Sequence, residues 1–254
     1  MKRLVKAALR RLGNGLAGLG RDAPAKPATE PPGPIFVNDT FVLWLTFANA
    51  GMLHAGNVYS FDYALRNLPS AAPILEIGAF CGLSANAINY FKRRHKAPNR
   101  LITIDKWLFE GAALGYSVGE SSITHDEYQA FVKETFRRNL RFFSRDDLPY
   151  AVEMLSDEFF QAWREGRRVR DVFEREIALG GKVSFCYIDG NHTYEFVRRD
   201  FEHCDEFLEP GGFLLFDDSA DGSGWDVCKV MREVESGGRY ELVIKNPNYL
   251  FRKK

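Results

Sequence analysis

From Phe36 onward, short apolar runs alternate with longer stretches in which apolar residues recur every three or four positions. Runs of the first kind predict buried strands, and stretches of the second kind predict amphipathic helices. On this pattern helices are expected over 39–50 and 60–68, then a strand at Ile74–Ile77 ending in a glycine-containing turn. A helix over about 83–94, a strand at Leu101–Ile104 and a Gly- and Ser-rich loop over about 107–123 come next. Thr124 is placed to cap a helix over 125–142, with Glu127 three residues on to complete a capping box. Strands are expected at Tyr150–Leu155 and Val183–Ile188. In the helix after them, over 194–208, Val197, Phe201, Cys204 and Leu208 fall on one face. Pro210-Gly211-Gly212 ends that helix before a strand at Phe213–Phe216. A helix over 224–235 and strands over 240–245 and 248–253, joined at Asn246-Pro247, close the chain. Strands separated by helices predict an α/β fold: a mostly parallel seven-stranded sheet with helices on both faces and an antiparallel C-terminal hairpin.

Charge changes the picture at one end only. The 34 Lys and Arg balance the 34 Asp and Glu, which argues against a nucleic-acid partner. Residues 1–29, however, hold seven bases and one acid, a net +6, so the remainder carries −6. Leu4, Val5, Ala8, Leu9 and Leu12 fall on one side of a helical wheel there, with Lys2, Arg3, Lys6, Arg10 and Arg11 opposite. Residues 1–22 are therefore read as a basic amphipathic segment suited to an anionic membrane surface. Residues 23–35 are read as a Pro-rich linker and 36–254 as the folded domain. No apolar run is long enough to span a bilayer. Cys81, Cys186, Cys204 and Cys228 form no Cys-x-x-Cys pair and are expected as buried thiols of a reducing compartment. The expected location is cytoplasmic, with the basic segment at a membrane surface; a homo-oligomer is compatible with the sequence.

In a sheet of this kind ligands bind beyond the carboxyl ends of the strands, so the polar residues there carry the chemistry. After the first strand comes Leu75-Glu76-Ile77-Gly78-Ala79-Phe80-Cys81-Gly82-Leu83-Ser84. Gly78 permits a tight turn and Gly82 a close backbone approach, while the next helix points its positive end at a carboxylate or phosphate. The glycine spacing is not that of the dinucleotide-binding fingerprint. Asp105 ends the second strand, where an acid can accept from ribose hydroxyls. Asp189, His192, Asp217 and Asp218 follow the fourth and fifth strands. Three carboxylates without cysteine suit Mg²⁺ or Mn²⁺. His192, three residues beyond Asp189, is placed to take a proton from a hydroxyl. Each of these residues also has a purely structural reading, as a turn residue or a helix cap.

The glycine loop Leu-Glu-Ile-Gly-Ala-Phe-Cys-Gly-Leu-Ser-Ala resembles that of the class I S-adenosylmethionine (SAM)-dependent methyltransferases, catechol-type O-methyltransferases in particular. The later Asp-Gly-Asn-His-x-Tyr, Pro-Gly-Gly and strand-terminal Asp-Asp resemble the metal-dependent branch with macrolide sugar O-methyltransferases and cephalosporin-hydroxylase-like proteins. The likeness covers about residues 55–253 and departs at Asp217, where the sugar enzymes have Glu. It implies a Rossmann-like fold and SAM as cofactor. It implies that Gly78 and Gly82 line the SAM site behind Glu76, that Ser84 meets the methionine carboxylate, that Asp105 holds the ribose, and that Ser156 contacts adenine. Asp189, Asp217 and Asp218 would hold the metal, with His192 as general base. The expected reaction is methyl transfer to a hydroxyl of a sugar, glycan or other small-molecule acceptor. A catechol-like phenol is the alternative acceptor, and a non-catalytic SAM-fold protein that binds a partner or membrane is the alternative class.

Overall fold

The computed structural model describes residues 35–109, 111–113 and 115–254. The basic segment expected over 1–22, and all but the last residue of the linker expected over 23–35, lie outside the described residues. Two helices, α1 (Thr40–Ala48) and α2 (Ala55–Arg66), lead into strand β1 (Ile74–Ile77), helix α3 (Leu83–Arg94) and strand β2 (Leu101–Ile104). Then come α4 (His125–Phe143), β3 (Tyr150–Val152), α5 (Ser156–Arg164), β4 (Arg168–Arg170), β5 (Glu176–Ala178) and β6 (Val183–Ile188). The chain ends in α6 (Tyr194–Phe207), β7 (Leu208–Phe216), α7 (Val227–Ser236), β8 (Tyr240–Lys245) and β9 (Tyr249–Lys253). Among the described residues no helix is long and apolar enough to cross a membrane.

Seven strands form one sheet in the order β3-β2-β1-β6-β7-β9-β8. The first five run parallel, and β9 pairs antiparallel with both β7 and β8. This is the mostly parallel sheet with an antiparallel C-terminal hairpin expected from the alternation of strands and helices, and the Rossmann-like fold that the resemblance implies. Side chains alternate across it. Ile74, Phe185, Tyr187, Phe213 and Leu215 pack with α1, α2 and α3 on one face. Leu75, Ile77, Cys186, Ile188, Leu214 and Phe216 pack with α5, α6 and α7 on the other. Both faces are covered, which is why the parallel strands are apolar at almost every position.

Several element bounds differ from expectation. The second helix begins at Ala55 rather than at residue 60, because the His54 ring accepts the Gly56 N–H at 3.0 Å and caps it. The third strand stops at Val152, and Leu155 instead precedes α5, where Glu158 accepts the Leu155 N–H. That helix and the small β4-β5 hairpin were not expected. Helix α6 ends at Phe207, and β7 begins at Leu208, so the Pro210–Gly212 stretch lies inside β7, where its pairing with β6 is irregular. The Thr124–Glu127 capping box is present: Glu127 N–H donates to the Thr124 hydroxyl at 3.2 Å and Thr124 N–H to Glu127 at 2.8 Å. Cys81, Cys186 and Cys204 are buried thiols as expected, whereas Cys228 is half-exposed.

The register matters most for function. Ile77 stands opposite both Ile104 and Ile188, Ile104 opposite Val152, and Ile188 opposite Phe216. The strands therefore end level. The next residue of each continues the ladder: Gly78 N–H to Ile104, Asp105 N–H to Val152, Asp189 N–H to Ile77 and Asp217 N–H to Ile188, at 2.8–3.2 Å. Residues separated by up to 139 positions in sequence (78 to 217) thus share one edge.

Candidate active site

Above that edge lies a cleft of about 1060 Å³, large enough for a nucleoside-sized ligand with a second small molecule. Gly78, Ser84, Asp105, Ser156, Asp189, His192, Asp217 and Asp218 all line it. So do Met52, Leu53 and His54 from the α1-α2 connection and Leu108 and Phe109 from the loop after β2.

Gly78 and Gly82 serve different ends. Gly78 has φ +85°, and a Cβ there would lie 2.0 Å from the Asp189 carbonyl oxygen. The β1 turn must pass this close to the end of β6, and only glycine fits both demands. Gly82, at φ +83°, is the residue before α3, but it does not line the cleft. Its Cβ would meet Leu140 at 2.5 Å, so its lack of a side chain seats α4 on the loop. Gly82 was expected beside the ligand and instead backs onto the core. Glu76 likewise lies beneath the cleft, fully buried in β1. Neither of its carboxylate oxygens has a hydrogen-bond partner among the described residues. Burial pushes its pKa up to about 8, against a smaller opposing pull from the Ser84 hydroxyl.

Asp105 is a brace for the glycine loop. Its Oδ2 accepts the N–H groups of Ala79 and Phe80 at 2.8 and 2.9 Å, and its Oδ1 accepts Trp107 N–H at 2.6 Å. Burial raises its pKa despite these bonds. With two donors already on Oδ2, the acceptor capacity left for a ligand is on Oδ1. Trp107, at the start of the loop, is 1% exposed and packs against Phe136, its ring N–H donating to the Phe80 carbonyl at 2.9 Å. Phe109 lines the cleft between Phe80 and Tyr128, and Tyr116 is exposed. Ser84 sits in the first turn of α3, 7% exposed, where unpaired backbone N–H groups favour an anion.

The acids after β6 and β7 divide into two groups. Asp189 and Asp217 are neighbours. Burial first, then the Asp217 charge, hold the Asp189 pKa well above the ordinary carboxylate range. The Tyr187 hydroxyl donates to Asp189 Oδ2 at 3.1 Å. The amides of Asn57 and Asn248 donate to Asp217 Oδ1 at 2.5 and 2.7 Å, and Asn248 also donates to Asn57 at 3.0 Å. Asp218 belongs to the second group. It lies past the strand end at φ +49°, and its Oδ2 pairs with His192 Nε2 at 3.1 Å. The His192 ring also lies 4.8 Å from Trp225.

The expected three-carboxylate metal set therefore does not converge: among the described residues no three His, Cys, Asp or Glu come together as metal ligands. The left-handed turn at Asp218 carries its carboxylate to His192 instead. What remains is the Asp189–Asp217 pair, with one oxygen of each taken by Tyr187 or the two asparagines. Mg²⁺ keeps several waters and takes one or two protein carboxylates, so the donor chemistry of this pair fits such an ion. Sequence reasoning missed Asn57, Tyr187 and Asn248. Only the short spacing of Asn248 from the Asn246-Pro247 turn hinted that a polar side chain sits at a strand end.

A family model described as a methyltransferase domain matches residues 75–219, more than half of the chain. No curated protein matches by sequence. Among solved structures, an O-methyltransferase from Bacillus cereus in complex with S-adenosylhomocysteine is 14% identical, with a TM-score of 0.53 covering 86% of this chain and 92% of that one. A TDP-rhamnose 3′-O-methyltransferase of calicheamicin biosynthesis is 16% identical, with a TM-score of 0.51 covering 85% and 97%. At such identities the likeness is one of fold.

Proposed function

The chain belongs to the methyltransferase-domain family, and from that premise we propose that it moves a methyl group from SAM to a hydroxyl of a sugar-like acceptor, with His192 as general base. One observation carries this reading. The level strand ends set the positive end of α3, Asp105 and the His192–Asp218 pair around one cleft. The sugar substrate of the calicheamicin enzyme, which shares the fold, supports the acceptor class.

Each residue has a task in that reading. The N-terminus of α3, with Ser84, receives the carboxylate of the cofactor's amino-acid end. Asp105 accepts from the ribose hydroxyls, and Ser156 lies at the base. Glu76, buried under the glycine loop with its pKa pushed up to about 8, is mostly protonated at neutral pH and lies beneath the cofactor as a neutral acid. SAM supplies an electrophilic methyl group on a sulfonium. The residues hold donor and acceptor in line, and such orientation accounts for much of the acceleration available to a displacement. An aliphatic hydroxyl is a poor nucleophile at neutral pH. His192 takes its proton as the new bond forms, and Asp218 orients the ring and stabilises the imidazolium. A phenol needs less help to ionise, so this dyad favours the sugar-like acceptor over the catechol-like one. Asp189 and Asp217 would hold a divalent cation, which would lower the pKa of a hydroxyl bound to it. Contact of the basic segment 1–22 with an anionic membrane stays a proposal on its charge alone.

The test is transfer of labelled methyl from SAM to a panel of nucleotide sugars by the full chain. Product is expected with Mg²⁺ present, EDTA is expected to cut turnover at least roughly tenfold, and excess Mg²⁺ to restore it. Undiminished turnover in EDTA would remove the metal from the account. Transfer to catechols but to no sugar would overturn the acceptor class.

A further inference from the structure

The outer face of α1 is apolar and uncovered. The helix holds no charged residue: Thr-Phe-Val-Leu-Trp-Leu-Thr-Phe-Ala is apolar apart from two threonines. Val42 and Leu45 are buried, and Phe41 stacks on Tyr90 with ring centroids 4.4 Å apart, which accounts for the inner face. On the other side Leu43 is 53%, Trp44 65% and Phe47 74% exposed, with the Trp44 and Phe47 rings 6.4 Å apart. Thr46 turns its hydroxyl back onto the Leu43 carbonyl at 2.8 Å, so it makes little demand on water. Phe36 just before the helix and Met52 just after it are exposed as well. A contiguous apolar patch left open on a globular domain marks a surface that meets a partner.

The charge of the chain says which partner. Residues 1–34 precede the domain, and 1–29 carry a net +6. This stretch joins the domain at Ile35, whose N–H donates to the Asn246 side chain at 2.9 Å and whose carbonyl accepts from it at 2.6 Å. The basic stretch is therefore tethered within a few residues of α1. The acid that caps α1, Asp39, is taken by Arg94 at 3.0 Å and by the Tyr90 hydroxyl at 2.7 Å. An apolar helix face bearing a Trp, tethered to a surplus of positive charge, matches the interface of an anionic bilayer. There aromatic rings sit at headgroup level and bases meet lipid phosphates. A second copy would also cover the face, but two copies joined through α1 would tether two +6 stretches to one seam, like charges together.

We propose that the Leu43, Trp44 and Phe47 face of α1 docks on an anionic lipid bilayer. The proposal deepens the reading of residues 1–22 as a membrane segment and is independent of the cofactor reading. A single weak anchor binds a bilayer marginally, whereas two together hold. The face also bears on the active site. The Asn49 amide, at the end of α1, donates to the Cys81 carbonyl at 3.0 Å, and Met52 lines the cleft. The docked face therefore adjoins the cleft mouth.

The experiment is flotation of the full chain with phosphatidylcholine–phosphatidylserine vesicles and with phosphatidylcholine alone, alongside its mass in solution by light scattering. Wild type is expected to float with the mixed vesicles as a monomer, and less so with phosphatidylcholine or at high salt. Trp44→Ser with Phe47→Ser, and separately Trp44→Glu, are expected to weaken binding at least roughly tenfold, the size expected when large apolar side chains stay in water. Thermal unfolding checks that each is folded; both sites are exposed, so either variant suffices. Replacing Lys2, Arg3, Lys6, Arg10 and Arg11 by glutamine is expected to weaken binding too. Loss with the glutamine variant but not with a folded α1 variant would overturn the proposal and keep the reading of residues 1–22. Absence of vesicle binding by wild type would overturn both. A wild-type dimer that the α1 substitutions dissociate would assign the face to a second copy and overturn the proposal.

Discussion

Replacing His192 by asparagine is expected to lower kcat by roughly 10²- to 10⁴-fold, the usual contribution of a positioned general base. The ring sits at the cleft wall with its Nε2 held by Asp218 at 3.1 Å and one face toward Trp225. Asparagine keeps a polar side chain of similar reach but cannot take up a proton. Cofactor binding is expected to change little, because α3 follows β1 and Asp105 ends β2, whereas His192 follows β6 on the far side of β1 in the sheet. Initial rates with labelled SAM measure the first effect and calorimetry the second. Asp218→Asn is expected to show a smaller loss of the same kind, since it leaves the ring in place without its charge partner. A rate within threefold of wild type for His192→Asn would remove the base from the mechanism.

The second large effect is expected from Gly78→Ala. Alanine at φ +85° pays about 1–2 kcal/mol for the left-handed backbone. Its Cβ would also overlap the Asp189 carbonyl oxygen, 2.0 Å away. That oxygen belongs to a rigid strand end and cannot move aside as a flexible side chain would. Overpacking of this sort adds about 1–3 kcal/mol. The total, about 2–5 kcal/mol, is a large share of the roughly 5–15 kcal/mol that holds a domain folded. Thermal unfolding should show a fall of roughly 5–15 °C. The apt control is Gly119→Ala, at φ +60° with nothing within 4 Å of its Cβ, which incurs the backbone strain alone. Equal effects at both glycines would show that the close approach of β1 to β6 is not what fixes Gly78.

The sheet was legible because its strands are buried on both faces. Ile74–Ile77, Leu101–Ile104 and Val183–Ile188 are short apolar runs in sequence, and each is a strand with those bounds. The same rule failed at Tyr150–Leu155, where apolar residues continue past the strand into the approach to α5. Helix α5 was missed because nine residues with buried Phe159, Phe160, Ala162 and Trp163 are too short to display a clear period. The candidate site was legible as far as it consists of residues directly after strands: Gly78, Asp105, Asp189 and Asp217 stand level at the sheet edge. What a sequence does not reveal is the direction of a side chain in a turn. Asp217 and Asp218 are adjacent in sequence, yet one faces Asn57 and Asn248 and the other His192. Nor does it reveal partners brought in from afar, such as Asn57 on α2 and Asn248 in the final hairpin. Gly82 shows a further limit, since a glycine that serves a ligand and one that serves a neighbouring helix read alike.

The most direct measurement for the central claim is calorimetric titration of the wild-type full chain with S-adenosylhomocysteine, followed by displacement with SAM. The account predicts one equivalent of binding, competition between the two compounds, and weakening by Asp105→Ala, which removes both the proposed ribose acceptor and the brace of the glycine loop. Absence of binding by the folded wild-type chain would contradict it, and would leave the cleft to a ligand of another kind.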